Sequence, residues 1–257
     1  MSETAGGQTF WDHLDALRNT LIRIFGVVVV VAVAAFCMKE ELFSIVLAPR
    51  SSDFVSYRLF DIAPFSLHLM NTGLTEQFMI HVKTALYAGL LLASPYVLYE
   101  LFRFVQPALY QKEQHYAVRI VGAAYVMFIV GTAVNYLIVF PLTVRFLGTY
   151  QVSPDVANML TLQSYIDTLI GMSLVMGVVF ELPVVCWLMA AMGLIHAQMM
   201  SRYRRHAIVV ILVVAAIITP TTDVLTLTVV ALPIWLLYEI SIRLVSLTNK
   251  KGKEYAS

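Results

Sequence analysis

The chain has 257 residues, of which 60% are hydrophobic and 13% charged, against roughly 45–50% and 25% in a soluble domain. That balance excludes a water-soluble fold and points to a chain built for a bilayer. A net charge of +1 gives no bulk attraction for nucleic acid or an acidic substrate, so recognition has to come from charges placed locally.

The first twenty residues carry Glu3, Asp12 and Asp15 and lack the basic start and small-residue cleavage site of a removable signal peptide, so the first apolar run is expected to be retained. Phe10, Trp11, Leu14, Leu17 and Leu21 recur near helical spacing, away from Asp12, Asp15 and Asn19. This pattern predicts an amphipathic segment lying at the inner interface, and an ordinary membrane-proximal helix with a Trp anchor fits it equally.

A hydrocarbon core about 30 Å thick takes about 20 apolar residues in helical form, because no water is present to satisfy an open backbone. Six runs answer that requirement, near residues 21–38, 79–98, 116–140, 162–192, 206–219 and 224–240. With both termini inside, twelve Lys and Arg fall on the inner side and five on the outer side, the asymmetry that the positive-inside rule demands. Omitting the short fifth run would send the basic cluster from Arg243 to Lys253 outside and spoil it. Two neighbouring short spans predict local thinning of the bilayer beside them.

The connections are unequal. Residues 39–78, with Pro49, Pro64 and Gly73, are too long for a tether and predict a folded outer cap. Residues 141–161 read as a shorter outer loop, and 220–223 as a minimal turn. No internal repeat appears, and residues 1–257 read as one all-α membrane domain.

Chemistry of the hydrolytic kind has no support. The chain lacks H-E-x-x-H, G-x-S-x-G and a pair of intramembrane aspartates. Cys37 and Cys186 read as packed free thiols, and His13, His68, His81, His115, His196 and His206 are scattered over interfacial positions, so no metal site is expected.

Two places concentrate polar signal. Glu181 sits in an apolar run, within Phe180-Glu181-Leu182-Pro183, where an ionisable group costs on the order of 2.5–3.5 kcal/mol and therefore faces a partner, a wet cavity or a transport path. A protonated Glu bonded to a neighbouring helix is the alternative, and the carbonyl freed by Pro183 could accept from it. The second place is the inner segment from Tyr99 to Glu113, in which aromatics and carboxylates alternate. It could hold a cationic, partly apolar peptide by stacking and bidentate pairing, or serve only as an interfacial belt.

Several ordered blocks resemble the TatC family along almost the whole chain. They begin with His13-Leu14-Asp15-Ala16-Leu17-Arg18 and Ala48-Pro49, and continue through Leu74-Thr75-Glu76-Gln77-Phe78 with Lys83, Ala93-Ser94-Pro95, and residues 99–113 with Pro107. Val139-Phe140-Pro141, Phe180-Glu181-Leu182-Pro183, Arg204-Arg205, Thr219-Pro220 with Asp223, Ala231-Leu232-Pro233 and Tyr238-Glu239 complete them. The resemblance implies six helices in a concave shell with the fifth and sixth short, N-in and C-in, in the inner membrane of a bacterium. It also implies a twin-arginine translocase subunit that binds consecutive arginines in the signal peptides of folded cargo. Single-span TatA and TatB-type subunits are the implied partners, with homo-oligomers in the receptor complex, the proton motive force as energy source, and no cofactor or nucleotide.

Carried over by motif, signal-peptide binding falls on Phe104, Glu113 and Arg18. The intramembrane partner groove falls on Glu181, with Pro183, Thr219 and Asp223 as its companions, and Pro49, Pro95 and Pro107 read as structural. The chain departs from the family where Ala16 occupies an acidic position. Asp12 shares the helix face of Ala16, whereas Asp15 points about 100° away, so Asp12 is the expected substitute. Gln114 stands where an Arg is common, and Leu227 where a Gln is frequent. The competing reading is a proton-coupled secondary transporter using Glu181, opposed by the lack of inverted repeats. An intramembrane protease would need a nucleophile system, and none is visible.

Overall fold

A computed structural model of the chain describes residues 10–59, 67, 69–105, 117–150, 160–219 and 224–254. Helix α1 runs from Phe10–Cys37, 28 residues without a proline and, at 1.5 Å per residue, about 42 Å long. The amphipathic start is therefore the first turns of the spanning helix itself and not a separate segment lying flat. Nothing between Phe10 and Leu21 breaks the helical pattern.

Outside the membrane the chain forms α2 (Lys39–Val46), a 3-10 turn (Ala48–Arg50), α3 (Val55–Leu59) and a two-residue strand β1 (Leu69–Met70). It returns inward through α4 (Glu76–Val105) and outward through α5 (Ala117–Val134), a π turn at Asn135–Val139 and α6 (Phe140–Thr149). Strand β2 (Leu160–Thr161) leads into α7 (Leu162–Phe180) and α8 (Leu182–Ala191). The short α9 (Ala197–Arg202) precedes α10 (Arg204–Ile218) and α11 (Val224–Glu254).

Five of these stretches are long and apolar enough to cross a bilayer: Leu14–Cys37, Glu76–Phe104, Arg119–Thr149, Leu162–Ala191 and Thr226–Leu247. The sixth apolar helix, α10, has 15 residues and reaches only about 22 Å, shorter than the core it crosses. Its Val209, Val213 and Ile217 are exposed, as side chains that face lipid in place of water must be.

Antiparallel packing of α1 on α4 is the most extensive helix contact. A Cβ at Gly89 would lie 2.7 Å from the Ala32 Cβ and 2.8 Å from its backbone, so only glycine admits this approach. The main core gathers Val139, Phe140, Ile166, Met176 and Phe180 from α5 through α7 with Ile211, Ala215 and Ile234 from the last two spans. At the inner end Gly193, at φ 74°, closes α8 with the Leu194 N–H on Met189 O at 2.9 Å, the left-handed stop that glycine alone makes at no steric cost.

The outer cap is held by hydroxyls. Tyr57, 1% exposed, has its Oη 2.9 Å from Pro49 O and 3.1 Å from Pro141 O. Tyr136 donates to Ile45 O at 2.6 Å and Tyr165 to Val46 O at 3.1 Å. Pro141 has no N–H for Leu137 O four residues back, and the Ser56 hydroxyl donates to that carbonyl instead. The outer loop accordingly begins nine residues later than the sequence suggests, because the π turn and Ser56 absorb the proline and α6 continues to Thr149.

Among the described residues, the departure from an all-helical reading is the parallel pairing of β1 with β2, Leu69 beside Leu160 and Met70 beside Thr161. It ties the outer ends of α4 and α7 together, and neither two-residue strand has enough length for its pattern to be legible.

Candidate functional site

At the inner end, α1 and α4 bring two of the predicted recognition residues, Arg18 and Phe104, to about one level. Arg23 on α1 contacts Glu100 on α4, and continuing the antiparallel register outward from that pair by about one turn sets Arg18 and Asn19 level with Phe104. Arg18, Asp15 and Ala16 are exposed, and Phe104 is half-buried. Asp12 belongs to α1, but its side chain lies outside the described residues, as do Pro107 and Glu113 entirely.

Beneath Phe104 lies a buried carboxylate. Glu100 is 3% exposed. Its Oε1 accepts from Tyr96 Oη at 3.1 Å and sits 3.8 Å from Arg103 Nη1, while its Oε2 sits 3.8 Å from Arg23 Nη1. Both guanidinium contacts are longer than a hydrogen bond, and Oε2 has no hydrogen-bond partner among the described residues. Tyr96, Glu100 and Phe104 follow one another at four-residue spacing on a single face of α4. That spacing was visible in the sequence, and burial was not.

Glu181 interrupts the fourth span. It forms the turn between α7 and α8, about two thirds of the way along the 30-residue apolar stretch Leu162–Ala191. Its side chain is half-buried, and its Oε1 is enclosed without a hydrogen-bond partner among the described residues. Pro183, buried at the start of α8, removes an N–H from the preceding turn, yet Oε1 does not bond the carbonyl it frees. Closer to the outer side, Asn135, fully buried in the π turn, donates from Nδ2 to Ser173 Oγ at 2.8 Å. Thr219, buried at the end of α10, returns its hydroxyl to Ala215 O at 2.9 Å. Asp223 lies outside the described residues.

Other resemblance blocks serve the outer face and the interior of α4. Glu76 Oε2 accepts from Gly73 N at 2.7 Å, Thr72 N at 3.0 Å and Thr72 Oγ1 at 3.2 Å, and its Oε1 from Gln163 N at 3.3 Å. It thus joins the start of α4 to the start of α7. Lys83 pairs with Asp167 across the same two helices at 2.6 Å. Pro49 is buried in the 3-10 turn. Pro95 lies inside α4, where Ser94 Oγ donates at 2.6 Å to Leu91 O, the carbonyl that Pro95 leaves without an N–H.

A family model described as Sec-independent protein translocase protein (TatC) matches residues 12–233. A relative named Sec-independent protein translocase protein TatC from Desulforapulum autotrophicum is 37% identical over 94% of this chain and 86% of its own length. One of the same name from Koribacter versatilis is 33% identical over 98% and 90%. A solved crystal structure described as the twin-arginine translocase receptor TatC superposes with a TM-score of 0.74 at 32% identity, covering 92% of this chain and 99% of that one.

Proposed function

The chain belongs to the TatC family and is a multi-pass subunit of the Sec-independent protein translocase in the bacterial inner membrane, and on that premise we propose that its inner face receives the twin-arginine signal peptides of folded export cargo. The observation that carries the reading is the level reached together by Arg18 and Phe104 at the inner end of the α1–α4 pair, fixed by the Arg23–Glu100 contact. Phe104 stacks on a guanidinium or on the apolar stretch after the arginines, and Glu113 accepts a guanidinium in bidentate fashion. The subunit acts by binding and assembly, not by catalysis, with the proton motive force as energy source and no cofactor.

Glu181 serves a different event. An enclosed carboxylate oxygen without an internal donor, inside an apolar span, suits a polar group brought by a single-span partner of the TatA or TatB type. Glu181→Ala is expected to spare signal-peptide affinity and reduce co-purification of those partners.

The deciding experiment is photocrosslinking from Phe104 and Glu113 positions to a cargo signal peptide, comparing Arg-Arg with Lys-Lys at the recognition pair. Crosslinks that require the arginines are expected. Absence of a crosslink with either peptide, in membranes where the protein is inserted, would overturn the receptor reading.

A further inference from the structure

We propose that Glu100 is a positioning residue of the recognition face, which by its charge against Arg23 and Arg103 lets that face accept a peptide with paired guanidinium groups. The inference rests on the receptor reading above. Glu100 lies one turn inward of Phe104, touching the helix that carries Arg18. Being 3% exposed, it is screened from the peptide and acts through its neighbours.

Charge gives the argument its weight. Arg18, Arg23 and Arg103 fall within about two turns of one another at the inner end of the pair, and a dicationic peptide meeting three uncompensated cations would be repelled. Asp12 and Asp15 lie further toward the chain start, and among the described residues Glu100 is the carboxylate paired with Arg23 and Arg103. The side chains of these two arginines are 54% and 56% exposed. At 3.8 Å neither spends a hydrogen bond on the carboxylate, so both are attracted as charges.

Geometry supplies the second part. The buried carboxylate attracts one cation from each of two packed helices, and it does so one turn from the level that Arg18 and Phe104 share. Tyr96 holds the other oxygen and so orients the carboxylate toward α1. A glutamine at this position would keep the Tyr96 bond and the volume but lose the charge.

The test is titration of the full chain in nanodiscs with a twin-arginine signal peptide and its Lys-Lys counterpart, using wild type, Glu100→Gln and the triple variant Glu100→Gln/Arg23→Gln/Arg103→Gln, each checked for its thermal midpoint. Glu100→Gln is expected to weaken twin-arginine binding on the order of tenfold, an effect of the size one uncompensated charge exerts in an interfacial dielectric, with the loss shrinking as salt is raised. The triple variant is expected to regain most of that affinity, a recovery that a purely structural role would not produce.

Unchanged affinity in Glu100→Gln, or a loss that persists in the triple variant, would overturn the proposal while leaving the receptor reading intact. Wild type that does not distinguish the two peptides would overturn the receptor reading, and this inference with it. Should Glu100→Gln fail to fold, Arg103→Gln alone carries the test: removing a cation while Glu100 stays is expected to tighten binding, and weaker binding would overturn the proposal.

Discussion

The two ends of the helix bundle are held by a different balance of bonds. At the outer end, neutral hydroxyls of Ser56, Tyr57, Tyr136 and Tyr165 fill carbonyls of the cap and of the π turn, while Glu76 and the β1–β2 pair join α4 to α7. At the inner end the described ties between helices include ion pairs with exposed arginines, Arg23 on Glu100 and Arg204 on Glu239. Short hydrogen bonds to buried backbone are directional and costly to leave unmade, whereas exposed guanidinium contacts are weak and exchange with other anions. The outer end is therefore built to persist and the inner end to trade partners, which is where a cationic signal has to be met.

Variants at either end should separate stability from binding. The largest effect is expected from Tyr57→Ala, which removes a fully buried ring and its bonds to two proline carbonyls. It should cost ~3–5 kcal/mol of stability, read as a lower thermal midpoint in detergent, with signal-peptide affinity per folded molecule unchanged. Phe104→Ala should do the reverse and lose about 2 kcal/mol of peptide binding, measured by titration, with the midpoint held.

Smaller effects sharpen the contrast. Ser56→Ala leaves Leu137 O without its donor and should lower stability by ~1 kcal/mol, seen as faster hydrogen exchange around the π turn. Lys83→Ala breaks an ion pair whose side chains are 48% and 41% exposed, and should change stability by less than about 1 kcal/mol. A Tyr57 variant that lost peptide affinity at full stability, or a Phe104 variant that melted early, would break the division between the two ends.

How much could be read beforehand differs between the same two regions. The apolar stretches and the shortness of α10 were legible because a bilayer imposes length and composition on each segment separately, whereas α11, expected to be short, continues to Glu254 and holds a 22-residue apolar span. The outer cap was legible only as a patterned loop, since what makes it a structure is pairing over long separations, Tyr165 to Val46 or Glu76 to Gln163, which no local period records. Pro141 was misread as the start of a loop because the sequence shows the missing N–H and not the Ser56 hydroxyl that replaces its service. At the inner end Phe104 and Arg18 were named through resemblance, and Glu100 was seen only as one charge in an alternating stretch. Its significance lies in burial, a property of the α1–α4 contact.

The Ser56–Leu137 bond also bears on how the chain is made. Ser94 relieves the carbonyl that Pro95 leaves open within a single helix, so α4 is complete as soon as it emerges. Leu137 depends on a donor 81 residues earlier in the chain, which at ribosomal speeds of about 5–20 residues per second is synthesised some 4–16 s before its acceptor. The donor thus leaves the ribosome first, and the third span enters a membrane whose far side already carries the group that completes it. A circularly permuted chain that placed the cap after this span would leave the newly inserted helix without the Ser56 hydroxyl until the cap was made.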